Sequence, residues 1–348
     1  MKTKPLIPVQ AGISHDERIR ALHSIQPAGA AAPAPYDSEF RRPWWLFSGH
    51  LETLYANSRA AALQVEYEPL EAQTPDSDVV LFHCVRGEPG RPLLIIFHGL
   101  EGSSSSPSVR LLAHHFAGRG WSVVVPHFRT CGMMNRLPRA YHAGDAADVE
   151  WMVKYACVLM GAPQAHAAGI SLGGNALAKW LGAGGQPYLA SAACVCAPFD
   201  LARCSRRIGG WLNSRLYGRH FLETLVAKLR AKQRQYPFLL EGKRARRIRS
   251  VRDFDDVYTA PIHGFSNVAD YYARASAKHD LAGVRTPLLC INPLNDPLVP
   301  PESVPKLESL PACVRIEQPR HGGHLGFATG RRRLDWLPSR LEAFFAAR

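Results

Sequence analysis

Short runs of apolar residues recur along the chain, separated by stretches in which apolar positions return every three or four residues. The runs are 93–97, 122–125, 165–168, 192–196, 288–292 and 314–317. A run that is apolar at every position predicts a strand covered on both faces, and the amphipathic stretches 109–119, 143–160, 175–182 and 334–347 predict the covering helices. Ahead of them, Leu63-Gln64-Val65-Glu66-Tyr67 alternates as a strand, and residues 79–85 form a second after the turn-prone Pro75-Asp76-Ser77-Asp78. The pattern predicts an α/β fold: a mostly parallel sheet of about eight strands with an antiparallel edge.

Two stretches break the alternation. Residues 1–40, with Ala28-Gly29-Ala30-Ala31-Ala32-Pro33-Ala34-Pro35, read as a flexible arm, and order is expected to begin near Pro43-Trp44-Trp45. Between Cys196 and Leu288 the sequence is helical, Arg-rich and Tyr-rich. It reads as a helical cap, 201–267, inserted between core segments 41–200 and 268–348 and lying over the C-terminal strand ends, where open α/β sheets bind ligands.

Charge singles out the same cap. The chain of 348 residues has a net charge of +13, but residues 201–252 hold 15 Lys and Arg against Glu223 and Glu241, and the rest carries 27 of each sign. The ordinary reading is a solvated helical face; the functional one is attraction to an anionic membrane or an anionic ester. Nucleic acid is not expected, because no recognised binding motif accompanies the charge. No run reaches the ~18 apolar residues of a membrane span, and Met1-Lys2-Thr3-Lys4-Pro5 leads into no signal-peptide core. The eight cysteines show no C-x-x-C pair, which argues for a reducing compartment and against zinc. A soluble, unprocessed, cytoplasmic protein is expected, with the inner membrane face as the place for any peripheral contact.

The candidate chemistry centres on Gly169-Ile170-Ser171-Leu172-Gly173. This is the G-x-S-x-G pattern of a nucleophile elbow, here between a short apolar strand and a helical stretch. Such a serine needs a histidine to take its proton and a carboxylate to orient that histidine, in the chain order Ser, acid, His. Asp296 leaves the strand 288–292 at its C-terminal end, the place for the acid, whereas Asp280 precedes that strand and belongs at the opposite end of the sheet. His321 and His324, in His321-Gly322-Gly323-His324, are both open as the base. The oxyanion donors are expected to be the N–H groups of Leu172 and of Leu100, in Phe97-His98-Gly99-Leu100-Glu101-Gly102. His98 reads as a structural histidine beneath that loop, and Ser103 to Ser106 as loop residues close to substrate. Metal-protease, Walker and dinucleotide patterns are missing, so neither metal nor organic cofactor is expected.

These motifs, together with Phe128-Arg129-Thr130-Cys131-Gly132, Asn135-Arg136-Leu137-Pro138-Arg139-Ala140-Tyr141-His142-Ala143-Gly144 and Tyr258-Thr259-Ala260-Pro261, resemble those of the YheT-like α/β-hydrolases from about Pro43 onward. The resemblance implies the α/β-hydrolase fold and a carboxylic ester hydrolase with Ser171 as nucleophile, Asp296 as acid and His324, the second histidine, as base. Its expected substrates are short- to medium-chain acyl or lipid-like esters. An acyltransferase or thioesterase would use the same residues, and a non-catalytic binding protein is disfavoured because all three positions are filled. One departure stands out: Ser48-Gly49-His50-Leu51-Glu52-Thr53 replaces the Asn-Pro-His-Leu-Gln-Thr common in that family.

Overall fold

A computed structural model describes residues 40–185, 187–239 and 248–347. The arm expected over residues 1–39, and Lys243, Arg244, Arg246 and Arg247 of the basic cluster, lie outside the described residues.

Eight strands form one sheet: β1 (Glu68–Gln73), β2 (Val79–Val85), β3 (Leu93–Phe97), β4 (Ser122–Pro126), β5 (Ala165–Ile170), β6 (Leu189–Val195), β7 (Leu288–Ile291) and β8 (Val314–Glu317). Their spatial order is β1-β2-β4-β3-β5-β6-β7-β8. The β1–β2 and β2–β4 pairs are antiparallel and every later pair is parallel. Because side chains alternate across a strand, β3 divides its residues between two cores. Leu93, Ile95 and Phe97 pack with the helices Ala146–Met160 and Leu172–Gly182, while Leu94 and Ile96 pack with Pro107–Ala117 and the C-terminal helix Trp336–Ala346. Burial on both faces is why these strands read as unbroken apolar runs.

In chain order the longer helices are α1 (Gly49–Ala60), α2 (Pro107–Ala117), α3 (Ala146–Met160), α4 (Leu172–Gly182), α5 (Leu201–Ile208), α6 (Arg219–Gln235), α7 (Val268–Ala275) and α8 (Trp336–Ala346). A short helix Trp211–Asn213 and a π-helical turn Ser214–Gly218 lead into α6, and a second π turn, Asp255–Thr259, precedes α7. All of α5, α6 and these turns lie between β6 and β7.

Three expectations shift. The strand at 63–67 is displaced: β1 begins at Glu68, where Glu68 pairs with Cys84. Leu63 instead packs into the cluster around Leu46, Ala56 and Leu334, and Val65 and Tyr67 pack beside the core. The paired stretch is an edge strand with only Ala72 buried, so it carries no alternation to read. The helix expected from residue 143 starts at Ala146, after its N-cap Asp145. Packing also begins ahead of Pro43, for Phe40 is buried and meets Phe327 and Trp336 edge-on at 5.4 and 5.2 Å.

Candidate active site

Ser171 occupies the turn between β5 and α4 with φ 51° and ψ −120°, a conformation that L-residues adopt only when their surroundings impose it. The glycines around it explain how. A Cβ on Gly173 would lie 2.4 Å from the His98 carbonyl oxygen, and one on Gly169 would lie 2.5 Å from Gly174 Cα. Strand, helix and the loop after β3 thus approach one another more closely than any side chain permits.

His324 Nε2 lies 3.1 Å from Ser171 Oγ, and its Nδ1 lies 2.8 Å from Asp296 Oδ2. The other Asp296 oxygen accepts the Leu298 and Val299 N–H groups at 2.8 and 3.0 Å. With Nδ1–H donated to the buried carboxylate, Nε2 is left as an acceptor facing the serine hydroxyl. His321 stands apart, 40% exposed, with Nδ1 3.9 Å from Glu52. Asp280 lies at the far end of α4, where it accepts from Lys179 at 2.7 Å.

The loop after β3 backs onto the serine, since a Cβ on Gly99 would lie 3.2 Å from Ser171 Cβ. Within it the Glu101 N–H donates to Tyr141 Oη and the Gly102 N–H to the Gly99 carbonyl. Leu100 keeps its N–H outside those bonds, and Leu172, first residue of α4, has no helical carbonyl one turn back to receive its own. Both residues line the same cavity as Ser171 and His324.

His98 is fully buried under this loop. Its Nδ1–H donates to the Gly99 carbonyl at 2.8 Å and its Nε2 accepts the Phe128 N–H at 3.1 Å, while burial pushes its pKa down to about 4. In the serine run, Ser103 and Ser106 bond one another across the turn, Ser104 bonds His83 and His127, and Ser106 reaches the cavity wall. Cys196, Asp296 and His324 bring three potential metal-ligating atoms within 4.8 Å of one another. Two of these groups are already bonded to each other, and burial holds the Cys196 thiol well above its usual pKa, which makes this a poor donor set.

The cavity has a volume of about 240 Å³. Ile208, Phe221, Leu225, Leu229, Phe254 and Tyr258, all from the segment between β6 and β7, supply much of its apolar wall. Residues 92–330 match the sequence model of the alpha/beta hydrolase fold family. The chain is 37% identical over 313 residues to "Putative esterase YheT" of Escherichia coli (strain K12), covering 84% of this chain and 91% of that one. It belongs to the YheT-like α/β hydrolases. A more distant relative is "Phospholipase ABHD3" of Homo sapiens, 25% identical, with 82% of this chain and 73% of that one covered. Among solved structures, an esterase of Pyrococcus furiosus, Pf2001, superposes with a TM-score of 0.53 over 81% of this chain and 92% of that one at 16% identity, a likeness of fold. The protein is a hydrolase of the esterase type.

The YheT-like motifs without an assigned role build the wall of the site. Buried Arg129 bonds Asp76, Asp78 and Asp148, and Asp78 also accepts from Asn135 and from the backbone of Arg136 and Leu137. This network fixes the 135–144 loop and, at its end, Tyr141, whose hydroxyl holds the turn at Glu101. The basic residues Lys228 and Lys232 face inward. Lys228 Nζ donates to Glu101 at 2.9 Å, and Lys232, 1% exposed, donates to the carbonyls of Asn135 and Leu137. These two lysines are therefore no part of a solvated face; they tie α6 to the loop after β3 and to the 135–144 loop.

Sequence reasoning missed the partners of the His324 loop. Glu52 Oε2 accepts the Gly322 N–H at 2.7 Å and Asn295 Nδ2 at 3.0 Å; Thr53 Oγ1 accepts the His324 N–H at 2.8 Å; Asn295 Oδ1 accepts the Gly323 N–H at 3.0 Å. The segment that departs from the family pattern is thus the one that grips the histidine loop. The signal in the sequence was two polar residues, Glu52 and Thr53, on what proves to be the buried side of an otherwise ordinary helix.

Proposed function

We propose that the protein is a serine carboxylic ester hydrolase working through an acyl-enzyme. His324 Nε2 takes the proton of Ser171 as Oγ attacks the ester carbonyl carbon. Asp296 holds the imidazole in the accepting tautomer and steadies the cation that forms. The N–H groups of Leu172 and Leu100 receive the negative oxygen. Collapse of the tetrahedral species breaks the C–O bond, and His324 returns its proton to the departing alcohol. A water, deprotonated by the same nitrogen, then attacks the acyl-enzyme carbonyl; as the bond to Oγ breaks, His324 passes that proton to Ser171 and the acid leaves.

The observation that carries this reading is the unbroken line from Asp296 through His324 to Ser171, ending in an apolar cavity. The cavity wall supports an acyl chain of short to medium length or a lipid-like ester, with 201–267 as its cap, and the relative named a phospholipase supports the lipid-like end of that range. A panel of p-nitrophenyl esters of graded acyl length, run on wild type and Ser171→Ala, tests it. Turnover lost in Ser171→Ala is expected, and so is a mass increment of one acyl group trapped on Ser171 of the wild type; undiminished turnover in the variant overturns the reading. Product analysis with and without an alcohol or thiol acceptor separates hydrolysis from acyl transfer.

A further inference from the structure

Folded chains seldom leave several large apolar side chains exposed together, and such patches mark surfaces that meet a partner. Two helical stripes here do so. On and just before α1, Phe47, Leu51 and Leu54 are spaced four and three residues apart and are 73, 37 and 46% exposed, with Trp44 at 88%. On the short helix and π turn leading into α6, Trp211, Leu212 and Leu216 are 70, 45 and 42% exposed. The stripes belong to neighbouring elements, because His50 of α1 hydrogen-bonds Tyr217 at 3.1 Å with the two rings stacked. Leu294, 44% exposed, extends the apolar surface, for the carbonyl of the next residue, Asn295, packs directly against Gly49.

Positive charge accompanies the patch. Arg206, Arg207, Arg215 and Arg219 are exposed beside the second stripe, and the Arg215 guanidinium lies 4.5 Å over the Trp211 ring. Glu223 at this margin is paired with Arg219. Tryptophan, phenylalanine and leucine projecting between arginines is the chemistry of an interfacial surface, where apolar side chains enter the acyl boundary and guanidinium groups meet anionic headgroups. An anionic headgroup layer presents negative charge across a whole plane, which matches arginines spread along this one margin. The same elements also line the cavity that holds Ser171, through Asn57 of α1, Ile208 of α5 and Phe221 of α6.

We infer that this two-helix face is a docking surface for an anionic lipid interface, with the stripes at 44–54 and 211–216 inserting and the arginines at 206–219 pairing with headgroups. It seats the elements around the cavity at the interface, and so bears on how a lipid-like ester reaches the site. That consequence rests on the esterase reading; the docking itself does not.

Sedimentation with vesicles of equimolar phosphatidylcholine and phosphatidylglycerol, at low salt, is the test. Wild type and Ser171→Ala should bind alike and should bind pure phosphatidylcholine more weakly. The variant Phe47→Ser/Leu54→Ser/Trp211→Ser/Leu216→Ser should lose about tenfold or more in affinity for the anionic vesicles, while its thermal midpoint and its turnover of a short soluble ester stay unchanged. Tryptophan emission should shift to the blue on binding in the wild type, and less so in the variant. No binding by wild type, or equal binding by the variant, overturns the inference. Self-association of wild type that the same four substitutions abolish also overturns it, by giving the face to a second copy of the chain.

Discussion

Glu52 and Gly322 are 270 residues apart in sequence and joined by a hydrogen bond of 2.7 Å. Through it, and through Thr53, the first turns of α1 hold the backbone of the loop that carries His324. A general base misplaced by about 1 Å can cost roughly a hundredfold in rate. Glu52→Ala should therefore lower kcat by about ten- to a hundredfold with little change in KM. Glu52→Gln, which restores the family's usual residue, keeps an acceptor for Gly322 and should stay within about threefold of wild type. Steady-state kinetics on a p-nitrophenyl ester decide it, and an alanine variant with wild-type kcat would remove Glu52 from the positioning of His324.

The two histidines of the same loop make a sharper comparison. His324→Ala should cost as much as Ser171→Ala, because such groups act as a unit, and Asp296→Asn should cost roughly ten-thousandfold by favouring the wrong imidazole tautomer. His321→Ala, which removes only an exposed ring 3.9 Å from Glu52, should change kcat/KM by less than about tenfold. The reverse ranking would reassign the base.

The tight strand-to-helix turn at Ser171 was legible because it needs glycines at fixed offsets, a local requirement written in five consecutive residues. The central strands were legible because burial on both faces leaves no polar position in 93–97 or 192–196. Spacing alone left His321 and His324 open, since a glycine pair lets a loop present either ring. What separates them is contact with Thr53 and Asp296, fixed only when distant segments pack. Edge strand β1 escaped for the opposite reason: one buried residue in six leaves no pattern. Lys228 and Lys232 were indistinguishable from their basic neighbours because inward orientation depends on what α6 packs against.

Acid should destabilise the fold before it affects surface charge pairs. Burial lowers the pKa of His98, His142 and His166 to about 4 and of His127 and His263 to about 2, from the usual 6.5. The unfolded chain therefore takes up protons first as pH falls through 6.5, so each of these buried neutral histidines costs the fold nothing above that pH and destabilises it increasingly as pH falls from 6.5 toward the folded value. Each unit of separation is worth roughly 1.4 kcal/mol. Asp145 and Asp255, raised by burial to about 6, act in the opposite direction, but two groups shifted by less do not offset five. The thermal midpoint should drop clearly between pH ~7.5 and ~5.5. At His98 the cause is visible: a second ring proton on Nε2 would face the Phe128 N–H it now accepts. A midpoint that is flat or rising over this interval would contradict the neutral, buried state of these rings.

Helix α6 carries a half-buried lysine, Lys228, and an exposed arginine, Arg219. Glu101 is 3% exposed, and Lys228 joins it from α6 across the cavity wall; Arg219 and Glu223, at the start of the same helix, are 80 and 63% exposed. Removing Lys228 leaves a carboxylate out of water without its cationic partner, with the Tyr141 hydroxyl still bonded to it, which costs about 3 kcal/mol, whereas an exposed pair is worth roughly 0–1 kcal/mol. Lys228→Ala should thus shift the urea midpoint strongly and Arg219→Ala barely. The double variant Lys228→Met/Glu101→Gln should regain much of the loss, because the uncompensated charge is gone. Activity adds a second readout. Glu101 follows Leu100, the proposed oxyanion donor, in the loop after β3 at φ 54°, a strained backbone that the contacts of Lys228 and Tyr141 help to hold. Lys228→Ala should therefore lower kcat even where the protein remains folded, and Arg219→Ala should not. Equal urea midpoints for the two single variants would mean that the Lys228–Glu101 pair contributes no more than a surface contact.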